Sequence, residues 1–286
     1  MRILAFESSA KAASVALLTD GVLTAERYQN DGQTHSRTMM KLAKDLLDDC
    51  QLSPADLDFV AWANGPGSFT GVRIGAAAAK GLCWGAELPA IPVSTLEAMA
   101  WNAVDQAGVI CCCMDARRSQ VYNALFRAEN GKIIRLRPDR AISLEELAED
   151  LRKFSEPVYF VGDGAALAWG YLQSAEAGGQ AMLVPTSRDE QERRAANDRP
   201  YDADGERRAA NDRPYGFDGA ERTAECRPYR LASEHLRQQR ASGVALAAYQ
   251  AALQGIREDP GAVTPNYLRL SQAERERLAR QVTIEN

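Results

Sequence analysis

The stretch Asn64-Gly65-Pro66-Gly67-Ser68-Phe69-Thr70-Gly71-Val72-Arg73 constrains the chain most, because it joins two segments of different regularity across a glycine-rich turn. Upstream, Leu57 to Ala63 is a short apolar run with Phe59, Val60 and Trp62 as its bulky members, which reads as a buried strand ended by breaker residues. Downstream, Ser68 or Thr70 can cap a helix that runs to Trp84 and carries only Arg73 and Lys80 as charges. A helix that is apolar on nearly every side needs cover on more than one face. Its alanines and glycines also admit close backbone approach. One face is therefore expected on the chain's own sheet, and another against a second helix, its own or a partner's.

A glycine-rich strand-to-helix turn is also a way to hold phosphate, since free N–H groups at a helix N-terminus attract an anion. The same glycines serve a tight turn equally well. The loop is not Gly-x-x-x-x-Gly-Lys-Ser/Thr, and Gly65-Pro66-Gly67 does not complete Gly-x-Gly-x-x-Gly, so the loop alone carries no nucleotide assignment.

A length of 286 residues suits two domains of ordinary size. A net charge of −5 argues against a protein that grips nucleic acid by itself, because phosphate contacts need concentrated positive charge. Work on RNA would then go through a partner. Met1-Arg2-Ile3-Leu4 opens directly into a strand without a leader pattern, and no apolar run approaches the about eighteen residues of a membrane span, so a cytoplasmic protein with no membrane contact is expected. The six cysteines fit that compartment. Cys111, Cys112 and Cys113 alternate across one buried strand, and no Cys-x-x-Cys pair occurs.

Along the chain, Arg2 to Phe6, Ala13 to Leu18 and Val22 to Tyr28 read as a meander, with Asp20-Gly21 as a hairpin turn. Glu7, Ser8 and Ser9 lie at the end of the first strand. An amphipathic helix follows over Thr34 to Gln51, with Met39, Leu42, Ala43, Leu46, Leu47 and Cys50 in its stripe and Met40 widening it. Leu88 to Val93 is a strand, and Ser94 caps a helix to Val104. The pattern then restarts, with strands over Val109 to Met114, Val121 to Arg127 and Lys132 to Leu136. A helix opened by the capping-box pattern Ser143-Leu144-Glu145-Glu146 and running to about Phe154, a strand over Val158 to Val161 and a helix over Ala165 to Leu172 complete it. The expected fold is α/β, with an N-terminal half over 1–105 and a C-terminal half over 106–286.

From Arg188 to about Arg240 the character changes. Glu192 to Tyr201 recurs as Glu206 to Tyr215 and, degenerately, as Glu221 to Tyr229, with tyrosines fourteen residues apart. Charges of both signs cancel and almost nothing apolar recurs, so 188–240 is expected to be a disordered insertion. Order is expected to return with a helix over Ser242 to Leu253 and a strand or extended tail over Asn266 to Leu270.

Metal and nucleophile chemistry finds little support. The two histidines, His35 and His235, make no His-x-x-x-His pair, and there is no Gly-x-Ser-x-Gly elbow. No catalytic residue and no metal ligand are therefore assigned.

The opening Ile3 to Ser9, the block Gly65 to Gly75, Pro92 to Leu96, Met114 to Arg117 with Val121-Tyr122, and Pro265 to Arg269 together resemble the bacterial TsaB family, also called YeaZ. The resemblance spans the chain outside the repeats. It implies an actin-like (ASKHA) fold of two ribonuclease-H-like halves with mixed sheets flanked by helices. It also implies a non-catalytic role in making threonylcarbamoyladenosine in tRNA, by dimerising with and activating the transferase TsaD, together with TsaE. tRNA is then contacted through the complex, and a homodimer in isolation is compatible. Carried onto this chain, the partner contacts fall on Met39, Met40, Ala43, Leu46, Leu47, Val72, Arg73, Ala76, Ala79 and Lys80. Nucleotide or anion contact would fall on Glu7, Ser8, Ser9, Gly67, Ser68 and Thr70, with no cofactor of its own and ATP or ADP at the partner interface. Glu7 stands where the family usually has Asp, which weakens that contact. The alternatives are an independent actin-like-fold enzyme, either a small-molecule kinase or a glycoprotease, and a self-associating regulator.

Overall fold

The computed structural model describes residues 1–176 and 229–269. The first half opens with an antiparallel meander, β1 (Arg2–Glu7), β2 (Ala13–Thr19) and β3 (Val22–Gln29). Asp20 and Gly21 both take positive φ at its second turn, the geometry a two-residue hairpin demands. It continues through α1 (His35–Asp49), β4 (Phe59–Ala63), α2 (Phe69–Ala86), β5 (Ala90–Val93) and α3 (Thr95–Trp101). The second half repeats the plan with β6 (Gly108–Asp115), β7 (Gln120–Glu129), β8 (Lys132–Ser143), α4 (Leu144–Leu151), β9 (Val158–Val161), α5 (Ala165–Glu176), β10 (Tyr229–Leu231) and α6 (Ala241–Leu253).

The strand orders are β3-β2-β1-β4-β5 and β8-β7-β6-β9-β10, the same sequence of pairings twice. In each half the first strand pairs antiparallel with the second and parallel with the fourth. This is the doubled ribonuclease-H-like plan of the actin-like fold. The central strand β1 is apolar on both faces, as a strand covered on both sides must be. Leu4 and Phe6 meet Met39, Leu46, Ala76 and Ala79 of α1 and α2, while Ile3 and Ala5 share a second core with Val244, Ala245 and Ala248 of α6.

The halves exchange their last helices. α3, from the first half, packs on β6, β7 and β8, and α6, from the second, packs on β1, β2, β4 and β5. The two helices touch each other at Gly243, where a Cβ would stand 2.0 Å from the Ala98 carbonyl oxygen. Both sheets consequently belong to one compact unit.

Some elements differ from expectation. β8 runs on to Ser143 through Pro138, because register shifts around Leu125 in the β7–β8 ladder absorb the proline. Arg137 and Arg140 on this extension bond Asp150 of α4, and Arg140 also donates to the buried Asn123 side chain. Burial alone would raise the Asp150 pKa, but hydrogen bonds from Arg137, Arg140 and Lys153 prevail and hold the carboxyl far below its usual range. Within the stretch expected to be disordered, Tyr229 to Leu231 is ordered as β10, parallel to β9, and a 3-10 turn follows at Glu234–Arg237. The repeats before Tyr229 lie outside the described residues, as does Leu270. Asn266 to Arg269 is irregular and joins no strand ladder. Among the described cysteines, Cys50, Cys83, Cys111, Cys112 and Cys113 are free thiols, and no described helix is long and apolar enough to cross a membrane.

Candidate docking face and the turn beneath it

The residues expected to contact an anion do come together. Ser68 is the N-cap of α2 and accepts from the Gly71 amide at 3.2 Å. The turn Glu7-Ser8-Ser9 after β1 lies directly against this helix end. The Ser68 amide donates to the Ser9 carbonyl at 2.6 Å, and the Ser8 hydroxyl donates to the Gly71 carbonyl at 2.9 Å. A Cβ on Gly67 would stand 2.5 Å from the Ser9 carbonyl oxygen, one on Gly71 2.1 Å from that of Ser8, and one on Gly75 2.3 Å from Ser8 Oγ. The glycines thus bring the chain's own turn against the helix end. Thr70 is exposed in the first helical turn.

The turn is also electrostatically unsuited to an anion. Glu7 is 1% exposed; its Oε1 accepts from the Ser9 amide at 2.6 Å, while its Oε2 has no hydrogen-bond partner among the described residues. Burial raises its pKa to about 7, the bonds from Ser9 pull it down only in part, and the negative charge of Asp163 pushes it further up. Asp163, in the Gly162-Asp163-Gly164 turn after β9, reaches solvent yet is surrounded by protein on most sides, which raises its own pKa. Gln239 donates to it at 2.9 Å.

A carboxyl whose folded pKa lies above its unfolded value costs nothing while both states are protonated, and destabilises progressively as pH rises past the unfolded value towards the folded one. Glu7→Gln, which mimics the protonated form, is therefore expected to leave stability unchanged at pH 4. At pH 8 it is expected to raise stability by roughly 3 kcal/mol, at about 1.4 kcal/mol per pKa unit over the rise from 4.5 to about 7. Denaturant melts at both pH values check this. An equal effect at the two would show that Glu7 ionises normally.

The residues carried over as partner contacts divide sharply. Met39, Ala43, Leu46, Leu47, Val72, Ala76 and Ala79 are buried, all but Val72 in the core that α1 and α2 share with the sheet. Their side chains are covered within this same chain, six of them by the sheet core, so they are not part of the surface a partner would meet. Met40, 47% exposed, does face outward. Beside it α2 presents Ala77, Gly81 and Gly85 at four-residue spacing, with Leu82 and Trp84, the latter 63% exposed. Met40, Pro54, Ala77, Ala78, Gly81, Leu82, Gly85 and Ala86 line a groove of about 400 Å³. A second groove of about 470 Å³ lies on the other flank of Ala77, between α2 and the C-terminal segment through Thr264, Pro265 and Tyr267.

Arg73 and Lys80, the charges of α2, are engaged within the chain. The Arg73 guanidinium sits 3.8 Å from the Phe69 ring centroid, its Nε donates to the Tyr267 hydroxyl at 2.8 Å, and the Phe69 and Tyr267 rings stack at 4.6 Å. Lys80 donates to the Val263 carbonyl at 2.6 Å. Between the exposed Arg73 and Trp84, the outward surface of α2 is apolar, with the small residues Ala77, Gly81 and Gly85 in a row that leaves room for another helix at close range.

A family model described as TsaD, tRNA N6-adenosine threonylcarbamoyltransferase, matches residues 29–276. Over 167 residues the chain is 38% identical to the tRNA threonylcarbamoyladenosine biosynthesis protein TsaB of Bacillus subtilis, covering 58% of this chain and 73% of that one. The chain belongs to the TsaB family. The TsaB protein of Escherichia coli is likewise 38% identical over 167 residues, 57% of this chain and 72% of its own. YeaZ from Pseudomonas aeruginosa has the same fold, with a TM-score of 0.66 over 93% of this chain and 99% of that one at 22% identity. TsaB relatives thus match by sequence, and a YeaZ structure matches in fold across almost the whole chain.

Proposed function

We propose that this chain is a non-catalytic subunit in the synthesis of threonylcarbamoyladenosine in tRNA, and that it docks on TsaD through the outer face of α1 and α2 and activates it, together with TsaE. The observation that carries this reading is the apolar, small-residue face of α2 from Ala77 to Gly85, flanked by Met40 and Trp84. Single exposed apolar residues are ordinary, but a continuous strip with a groove is the mark of an interaction surface. Family membership favours this partner, since the relatives are named for threonylcarbamoyladenosine biosynthesis and the matching family model for the transferase.

The turn beneath the face supports a non-catalytic role. The space beside its glycines is taken by Ser8 and Ser9, and its buried acid, with a pKa raised to about 7, carries part of a negative charge near neutral pH, so a phosphate would meet little room and a carboxylate. In this reading nucleotide has no site of its own here, and ATP or ADP enters at the partner interface. tRNA is reached through the complex, which suits a chain of net charge −5, and the setting is cytoplasmic. The same face would pair two copies when TsaD is absent. Mixing the purified chain with TsaD is expected to give a one-to-one complex on size exclusion, and two species eluting independently would refute the docking assignment.

A further inference from the structure

We propose that residues 263–269 form a latch that couples the docking face on α2 to the β6–β7 turn of the second half. At its near end the segment is held by α2 and by the end of β4. Lys80 bonds the Val263 carbonyl, Asn64 Nδ2 donates to the Thr264 carbonyl at 2.7 Å, and the Asn266 amide returns a bond to the Asn64 carbonyl at 2.7 Å. Gly65, at φ +102°, makes room for this course, since a Cβ there would stand 2.5 Å from the Asn266 carbonyl oxygen. Tyr267 then stacks on Phe69 and bonds Arg73.

At its far end Arg269 Nη1 donates to the Ala116 carbonyl at 2.6 Å. Ala116 lies in the turn between β6 and β7, on the other sheet. Arg117, Arg118 and Ser119 there all take left-handed backbone angles, at φ +66°, +55° and +55°. Three such non-glycine residues in succession are costly and persist only where surrounding contacts hold them. The turn's own bonds are few: the Arg117 amide to Asp115 at 2.7 Å, the Ala116 amide to the Gln120 carbonyl at 3.0 Å, and the Gln120 amide to the Arg117 carbonyl at 3.3 Å. The Arg269 contact fastens a strained turn of one half to a segment anchored on the other.

The near end of the latch is also a wall of the groove beside Ala77, through Thr264, Pro265 and Tyr267. An occupant of that groove presses on the latch, and the latch reports to the β6–β7 turn. By linkage the coupling runs in both directions with equal strength. The proposal rests on the preceding reading only for the identity of the occupant.

Hydrogen exchange on the isolated full chain tests the latch without any partner. Arg269→Ala is expected to raise exchange at least tenfold at the Ala116, Arg117 and Gln120 amides, and also at Asn266, the near anchor it does not touch. Tyr267→Ala, or Arg73→Gln if that variant melts early, is expected to raise exchange at Gln120 by a similar factor. A substitution that changes exchange only at its own end, with less than a twofold change at the other, overturns the coupling.

Discussion

Ala77→Glu and Gly81→Glu are each expected to weaken association with TsaD at least 100-fold, about 2.7 kcal/mol or more, while shifting the melting temperature by no more than about 2 °C. Both residues are exposed on the outer face of α2 and line its groove; nothing lies within 4 Å of a Cβ added at Gly81. A glutamate there has room in the free chain, but in the complex it would bury an unpaired charge against an apolar surface. Met39→Glu makes the useful contrast. Met39 is 1% exposed and sits in the core with Leu46 and Trp62, so its loss of binding would follow from unfolding. Pull-down or titration calorimetry, paired with thermal melts, separates the two cases. Unimpaired binding by both charged variants would remove the docking face from α2.

Gly71→Ala is expected to destabilise the chain by about 3 kcal/mol or more, whereas Gly81→Ala is expected to stabilise it by roughly 0.5–1 kcal/mol. The two glycines are ten residues apart on one helix, Gly71 in its first turn against the Ser8 carbonyl and Gly81 in its open interior. A methyl group at Gly71 would stand 2.1 Å from the Ser8 carbonyl oxygen, a backbone atom fixed by its place at the end of β1, so the helix end would have to lift off the sheet. At Gly81 the same methyl group meets nothing and removes the helix penalty of glycine. Urea denaturation of both variants checks the contrast. Equal and small effects would show that the glycine-rich turn is looser than its contacts indicate.

Much of the fold was legible because its elements announce themselves locally. The hairpin at Asp20-Gly21, the caps at Ser68, Ser94 and Ser143, and the restart of the strand pattern near Val109 all stand where short-range chemistry puts them. The capping box of Ser143 and Glu146 is made as its spacing requires, with bonds of 3.1 and 2.9 Å. Less legible was anything decided across the chain. The exchange of α3 and α6 between the halves leaves no mark in sequence, since an apolar helix does not record which sheet it will cover. β8 outran its apolar run because Arg137 and Arg140 are held by Asp150, a partner on the following helix.

The docking residues show the same limit in sharper form. α2 is apolar on nearly all sides, so its periodicity could not tell the face that meets the sheet from the face left outside. Val72, Ala76 and Ala79 are turned inward, and Ala77, Gly81 and Gly85, which are not among the expected contacts, face out. The four-residue spacing of those small residues was a usable signal, as was Trp84, too large to be spent on an exposed face without a reason. Arg73 and Lys80 were carried over as partner contacts, and the residues that engage them, Tyr267 and Val263, lie more than 180 residues further on.

In its proposed role this chain activates a partner's chemistry and performs none itself. Reconstitution tests it most directly, with TsaD, TsaE, threonylcarbamoyl-adenylate synthase, tRNA, ATP, threonine and bicarbonate, and with this chain present, absent, or replaced by Gly81→Glu. Modified tRNA is expected to accumulate only with the unaltered chain, and no product is expected from the chain without TsaD. Modification that proceeds equally well in its absence, or that appears without TsaD, would contradict the account.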